Sequence, residues 1–346
     1  MDSLAPPLDA VARLAGGPPR AVLPLGGGRN SQVFRLETAA GEVRVLKAYF
    51  RHPGDSRDRL AAEFGALSFL WAQGLRCVPE PLGRDPEAAL GLYGFILGER
   101  PDDPTEAEVD EACAFLFRLR SLGAVRAARV LPEASEAGFS FQAVAENVQL
   151  RLDRLAAVDP VLAGDSGLAA FLEGELRPAW RALLEGCRVA CRHAGLGFDQ
   201  ALPASARTLS PSDFGFHNAL RTDHGLVFLD FEYFGWDDPA KLLADFLLHP
   251  GMDLTLRQRQ RFAAGVLGSF DVDGLRQRAR LAFPLFGIKW CAILLNEFLP
   301  GPLDRRRFAG LPDRSARDRQ ARQLEKTRSK LNHLLDDHAH FPYFSL

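Results

Sequence analysis

Apolar residues follow two rhythms along this chain. Up to about residue 97 they come in short runs broken by glycine, proline and polar turns, which is the pattern of strands. Residues 23–25, 32–36 and 43–49 are predicted strands, with a glycine turn over 26–31 and a second turn at 39–42. Residues 78–82 and 92–97 read as two more. Between these groups, residues 60–67 predict a helix after the polar loop 51–59, with Ser56 or Asp58 as its cap. Beyond Gly98-Glu99-Arg100-Pro101 the rhythm turns helical, with helices predicted over 104–122, 141–156, 168–193, 239–248, 256–267 and 273–298. The exception is 225–229, a short apolar run that reads as a buried strand ending at Asp230. The mixed charges of 305–330 suit a solvated helix.

Chemistry concentrates in the segment Ser210-Pro211-Ser212-Asp213-Phe214-Gly215-Phe216-His217-Asn218 and in Asp230 downstream of it. Phosphoryl transfer needs a group that orients the nucleophile and hard oxygen ligands for a divalent ion on the phosphates. Asp213 suits the first task as base, and Asn218 with Asp230 suits the second. Asp213-Phe214-Gly215 also spells the triplet that holds magnesium in protein kinases. That assignment would need an Asp-x-x-x-x-Asn loop upstream, and the chain has Asn only at 30, 147, 218, 296 and 332. Asn218 alone has an Asp five places before it, so Asp230 is the better metal ligand.

The first lobe, residues 1–97, supplies the matching half. Gly27 and Gly28 sit between two predicted strands, where backbone amides can approach phosphate with no Cβ in the way. Lys47 on the third strand can reach the α and β phosphates, with Glu63 on the following helix as its partner. Phe95 and Leu97 lead into the hinge at 98–101, where backbone groups can meet an adenine edge. Taken singly, each motif also has a plain reading: turn-forming Asp and Asn, an ordinary glycine turn, a solvated strand lysine. Their order is what a bilobal kinase requires.

In these motifs the chain resembles the aminoglycoside phosphotransferase and choline kinase superfamily, small-molecule relatives of protein kinases. The matching residues are Gly27, Gly28, Asn30 and Ser31 in the loop, Lys47, the stretch from Asp213 to Asn218, and Leu229-Asp230-Phe231-Glu232-Tyr233. The resemblance spans roughly residues 21 to 249. It implies an α+β, bilobal protein-kinase-like fold, an N-terminal antiparallel sheet lobe (1–97) joined to a larger, mainly helical lobe (98–346). It also implies ATP and Mg2+ as cofactors and transfer of the γ-phosphate to a hydroxyl of a metabolite, amino alcohol, sugar or aminoglycoside. One departure stands out: the family's loop usually begins His-x-Asp, and Pro211 holds the His place. A catalytically weak or inactive nucleotide-binding regulator of the same fold is therefore the alternative. A hydrolase is disfavoured, since no Gly-x-Ser-x-Gly elbow is present.

The chain has 346 residues, 47% hydrophobic and 25% charged, with a formal net charge of −2. That is ordinary for a globular protein with a large core and offers no basic field for nucleic acid or anionic membrane. No secretory start is seen, and the most apolar stretch, 283–299, is interrupted by Lys289, Asn296 and Glu297, so it is expected to be a buried helix. Five scattered cysteines suit a reducing cytoplasm and buried free thiols. The oligomeric state is not legible. For the phosphate acceptor the candidates are Glu232, Tyr233, Trp236, Lys289, Trp290 and Glu297. Tyr233, Trp236 and Trp290 would suit a cage for a cation if they converged, while Glu297 could equally pair with an arginine.

Overall fold

The computed structural model describes residues 6–26, 31–51, 57–159, 167–299 and 316–337. The loop candidates Gly27, Gly28 and Asn30 lie outside the described residues. Five strands form one antiparallel sheet in the order β1-β2-β3-β5-β4: β1 Ala21–Pro24, β2 Ser31–Glu37, β3 Val43–Tyr49, β4 Pro81–Asp85 and β5 Leu90–Gly94. One face of this sheet buries Phe34, Leu36, Leu46, Leu90 and Leu92 against Ala10 and Val11 of a short helix α1, Leu8–Ala15. The sequence reading missed α1, although Leu8, Val11 and Leu14 at helical spacing followed by Gly16, at φ +75°, form a helix with its C-terminal stop.

Two predicted strands are displaced. The strand read at 78–82 begins at Pro81, which suits a residue with no N–H to donate at the start of an edge strand. The one read at 92–97 ends at Gly94, leaving Phe95 and Leu97 on an exposed connector. Helix α2 (Arg59–Ala72) starts at the cap Asp58, whose carboxylate accepts from Ala61 N at 2.9 Å, and it packs along β4 and β5. The chain then leaves the sheet at Gly98. A Cβ there would stand 2.6 Å from the Arg221 carbonyl oxygen, so glycine is required for the close pairing of Glu99 with Arg221, N to O 3.0 Å and 2.7 Å.

The remainder is mainly helical. Its described helices are α3 Glu106–Leu122, α4 Phe141–Ala156, α5 Leu168–Phe171 continuing through one π turn into α6 Arg177–His193, α7 Pro239–Leu248, α8 Leu256–Ser269, α9 Leu275–Leu294 and α10 Ala316–Asp337. Helix α9 is the axis of this part: α4, α6, α7 and α10 all pack on it. The stretch Leu275–Phe298 is long and apolar enough by composition to cross a membrane, yet 72% of its apolar window is buried inside the protein, as a core helix would be. Two short strand pairs thread between the helices. Thr208–Ser210 (β6) pairs with Gly235–Asp237 (β9), and Ala219–Thr222 (β7) with Gly225–Phe228 (β8). The cysteines are free thiols, four of them buried.

Candidate active site

Lys47 is carried into the interior by β3, where it is only 8% exposed. Its ammonium donates to Glu63 Oε2 on α2 at 2.6 Å and to Asp230 Oδ1, just past β8, at 2.8 Å. Residues 183 positions apart are thus joined by one side chain. Burial alone would pull the lysine pKa down, but the charges of Asp230, Glu63 and Glu232 pull harder and hold it well above its ordinary value. Glu63 is fixed from its other side by the Tyr49 hydroxyl at 2.7 Å, which meets the Tyr93 hydroxyl at 2.7 Å. Neither tyrosine was singled out from sequence. Glu232, a substrate candidate, is instead only 2% exposed and ion-paired to Arg59 at 3.7 Å; its carboxylate, with those of Glu63 and Asp230, forms a cluster able to ligate a cation.

Asp213 sits on the loop between β6 and β7. The loop turns through Ser212, in the left-handed region at φ +69°, and closes on itself: Asn218 Nδ2 donates to the Asp213 carbonyl at 3.0 Å. That bond engages the Asn218 amide nitrogen and leaves its oxygen without a hydrogen bond to a described residue. Asp230 is also left-handed at φ +64°, and its side chain is 34% exposed, so one oxygen meets Lys47 while the carboxylate still reaches the cleft. Phe214, the middle of the Asp-Phe-Gly triplet, is core: its ring lies 5.1 Å from Phe228 and 5.7 Å from Phe115. The triplet is thus a packing feature here.

Pro211 stands where the resemblance expects a histidine, and the loop is held from α7 instead. Lys241 of α7, 1% exposed, donates to Ser212 Oγ at 2.9 Å and to Asp237 Oδ2 at 2.6 Å, and pairs with Asp245 Oδ2 at 3.2 Å. Ser212 Oγ in turn donates to the Ser135 carbonyl at 3.3 Å. Two imidazoles flank Asp213: Nε2 of His217 and of His249 lie 3.2 Å and 3.5 Å from Oδ1, the rings stacked at 3.7 Å. Sequence reasoning missed Lys241 and both histidines. Asp237, Lys241 and Asp245 at i, i+4 and i+8 carried a readable signal, but nothing in the sequence links His217 to a histidine 32 places on.

The acceptor candidates divide. Trp290 stands edge-on to His249 at 4.8 Å and donates from Nε1 to Asp245 at 2.9 Å, so it borders Asp213. Lys289 lies 3.7 Å from Glu136, a residue at φ +63° that is also paired with Arg151. Although burial favours its neutral form, those two cations hold the Glu136 carboxyl down at about 2. The other three are committed elsewhere. Trp236 donates to the Ala128 carbonyl at 3.0 Å, Tyr233 packs under the Arg57 guanidinium, and Glu297 pairs with Arg319 at 3.6 Å. The three aromatic rings engage three different partners.

A small antiparallel sheet set on a helical body, with a strand lysine and loop acids meeting between them, defines a protein-kinase-like fold. The chain belongs to the phosphotransferase enzyme family, whose model matches residues 21–281. Solved structures of similar fold include a choline/ethanolamine kinase family protein from Mesorhizobium loti (19% identity, TM-score 0.53, 91% of this chain and 92% of that one). Another is choline kinase LicA from Streptococcus pneumoniae (15% identity, TM-score 0.56, 91% and 94%). A third is a spectinomycin phosphotransferase in complex with ADP and spectinomycin (12% identity, TM-score 0.55, 88% and 93%). At these identities the likeness is one of fold. No match is found among the curated proteins.

Proposed function

We propose that this phosphotransferase moves the γ-phosphate of Mg-ATP to a hydroxyl of a small molecule, with residues 1–97 as the nucleotide lobe and 98–346 as the catalytic and acceptor lobe. The observation that carries this is the Lys47 bridge. A buried ammonium held between Glu63 and Asp230, and facing the loop of Asp213 and Asn218, is the arrangement that phosphates and a divalent ion require. Gly27, Gly28, Asn30 and Ser31 would cover the phosphates, and Phe95 with Leu97 would border the adenine. Asn218 and Asp230 fit a hard cation, offering one amide oxygen and one carboxylate. When bound, that ion supplies charge neutralisation on the phosphates. Lys47 would orient the α and β phosphates. Asp213 would hydrogen-bond the acceptor hydroxyl and receive its proton as the oxygen bonds to the γ-phosphorus. The β–γ bridging P–O bond breaks, and ADP departs with the electron pair. The cytoplasm, which provides ATP and keeps thiols reduced, is the fitting compartment.

Pro211 favours a second reading, an inactive nucleotide-binding regulator, but the Lys241 anchor on Ser212 supports an ordered and competent loop. Two measurements separate them. Mg-ATP should raise the melting temperature, since a ligand of the native state stabilises it by mass action; no response sinks both readings. Turnover across a panel of metabolites, sugars, amino alcohols and aminoglycosides should then appear and vanish in Asp213→Ala, which retains the thermal response. Asp230→Ala should instead weaken the metal-dependent response itself. Equal turnover in wild type and Asp213→Ala would remove Asp213 as base.

A further inference from the structure

Two lysines are buried side by side below the Asp213 loop, and they are not equivalent. Lys241 is surrounded by three oxygens at 2.6, 2.9 and 3.2 Å, those of Asp237, Ser212 and Asp245. Lys289 has a side chain only 6% exposed, yet its ammonium makes no hydrogen bond to any described residue, and the nearest carboxylate oxygen among them is 3.7 Å away on Glu136. An ammonium has three donors, and since none meets a described residue they are left to water or to a ligand. Desolvation accordingly lowers its pKa, against the pull of Asp245.

Contacts on both sides tie Lys289 to Asp213. Its neighbour Trp290 stands against His249, whose Nε2 is 3.5 Å from Asp213 Oδ1. Its partner Glu136 follows Ser135, whose carbonyl accepts from Ser212, the residue before Asp213. The surrounding charges are already matched. Asp237 and Asp245 both pair with Lys241, and Glu136 lies between Lys289 and Arg151. A cationic acceptor would meet the repulsion of Lys289, and an anionic one that of the Asp213 carboxylate, whereas a neutral one meets neither.

We propose that Lys289 is an acceptor-binding residue, and that the acceptor is an uncharged polyhydroxylated molecule, a sugar or polyol, whose oxygens complete the lysine's hydrogen bonds. One of its hydroxyls gives its proton to Asp213 and is phosphorylated, so this inference rests on the phosphotransferase function proposed above.

The test uses the full chain with Mg-ATP and measures ADP release against three acceptor sets: neutral sugars and polyols, choline with ethanolamine and aminoglycosides, and sugar acids with sugar phosphates. A Mg-ADP thermal shift is recorded in parallel. Highest kcat/KM among the neutral acceptors is the expected result. With the best of them, Lys289→Met should raise the acceptor KM by about tenfold to a hundredfold, with the KM for ATP unchanged. Lys289→Gln, which keeps a donor, should recover part of the loss. A greater kcat/KM for any charged acceptor, or no turnover of neutral ones while Mg-ADP still stabilises the protein, overturns the acceptor class alone. An unchanged acceptor KM in Lys289→Met and Lys289→Gln overturns the role of Lys289. Absence of the Mg-ADP shift overturns the phosphotransferase reading itself.

Discussion

At the scale of single residues, Lys47 is the point on which most depends. Replacing it with Met leaves the buried Glu63 and the half-buried Asp230 without their shared cation. The expected cost is on the order of 3 kcal/mol in denaturant unfolding, together with loss of the nucleotide-induced thermal shift. Lys330 makes a pH prediction. Burial lowers its pKa from 10.5 to about 8 while it donates to the Leu248 carbonyl at 2.5 Å. Between those two values the unfolded chain holds more protons than the folded one, so this residue makes stability rise with pH over that window and contributes no slope below it. Subtracting the stability profile of Lys330→Met from that of wild type should isolate the rise; a flat difference would contradict it. The meeting of Lys47 with Glu63 and Asp230 was legible in the sequence because phosphoryl-transfer chemistry restricts residue type and the chain order restricts place. Tyr49, Lys241, His217 and His249 were not, because each matters through a neighbour that only folding supplies.

At the scale of elements, the capped helices were the easiest to read. Helix α4 spans Phe141–Ala156 and α7 spans Pro239–Leu248, the limits the apolar spacing predicts, with Ser140 and Asp238 capping their first turns through bonds of 3.0 Å and 2.8 Å. Thr105 and Glu108 cap α3 reciprocally, so Thr105→Ala should cost about 1 kcal/mol in thermal or chemical unfolding with turnover preserved. Strand limits were harder. Prolines at 79 and 81 looked like part of an apolar run, while the ladder of β4 with β5 needs its first donor only after Pro81. The short pair of β6 with β9 has three-residue strands far apart in the chain, too brief for a period-two signal. Those strands nonetheless position the Asp213 loop, and α7 fastens it. Lys241→Met would strand Asp237 and Asp245 and release Ser212; a loss of about 3–5 kcal/mol is expected. Below its melting point that variant should show a lowered kcat with the Mg-ADP thermal shift retained, whereas an unchanged kcat would mean the loop holds without the lysine.

At the scale of the whole molecule, the two rhythms of the sequence become a sheet and a helical body that meet where the charges are. The apolar pattern predicts that division because the strands bury one face against α1 while α9 is buried among other helices. What it could not reveal is the meeting of charges around Lys289, since Glu136, Arg151, Asp245 and Lys289 come from four different helices and loops. The Lys47 bridge has one more consequence. Its ammonium has already given up its water to two carboxylates before any nucleotide arrives, so an incoming phosphate exchanges one anion for another and need not strip a hydration shell. Dehydration, usually a cost of binding, is here completed during folding, so under the proposed function the nucleotide would meet a cation prepared for it.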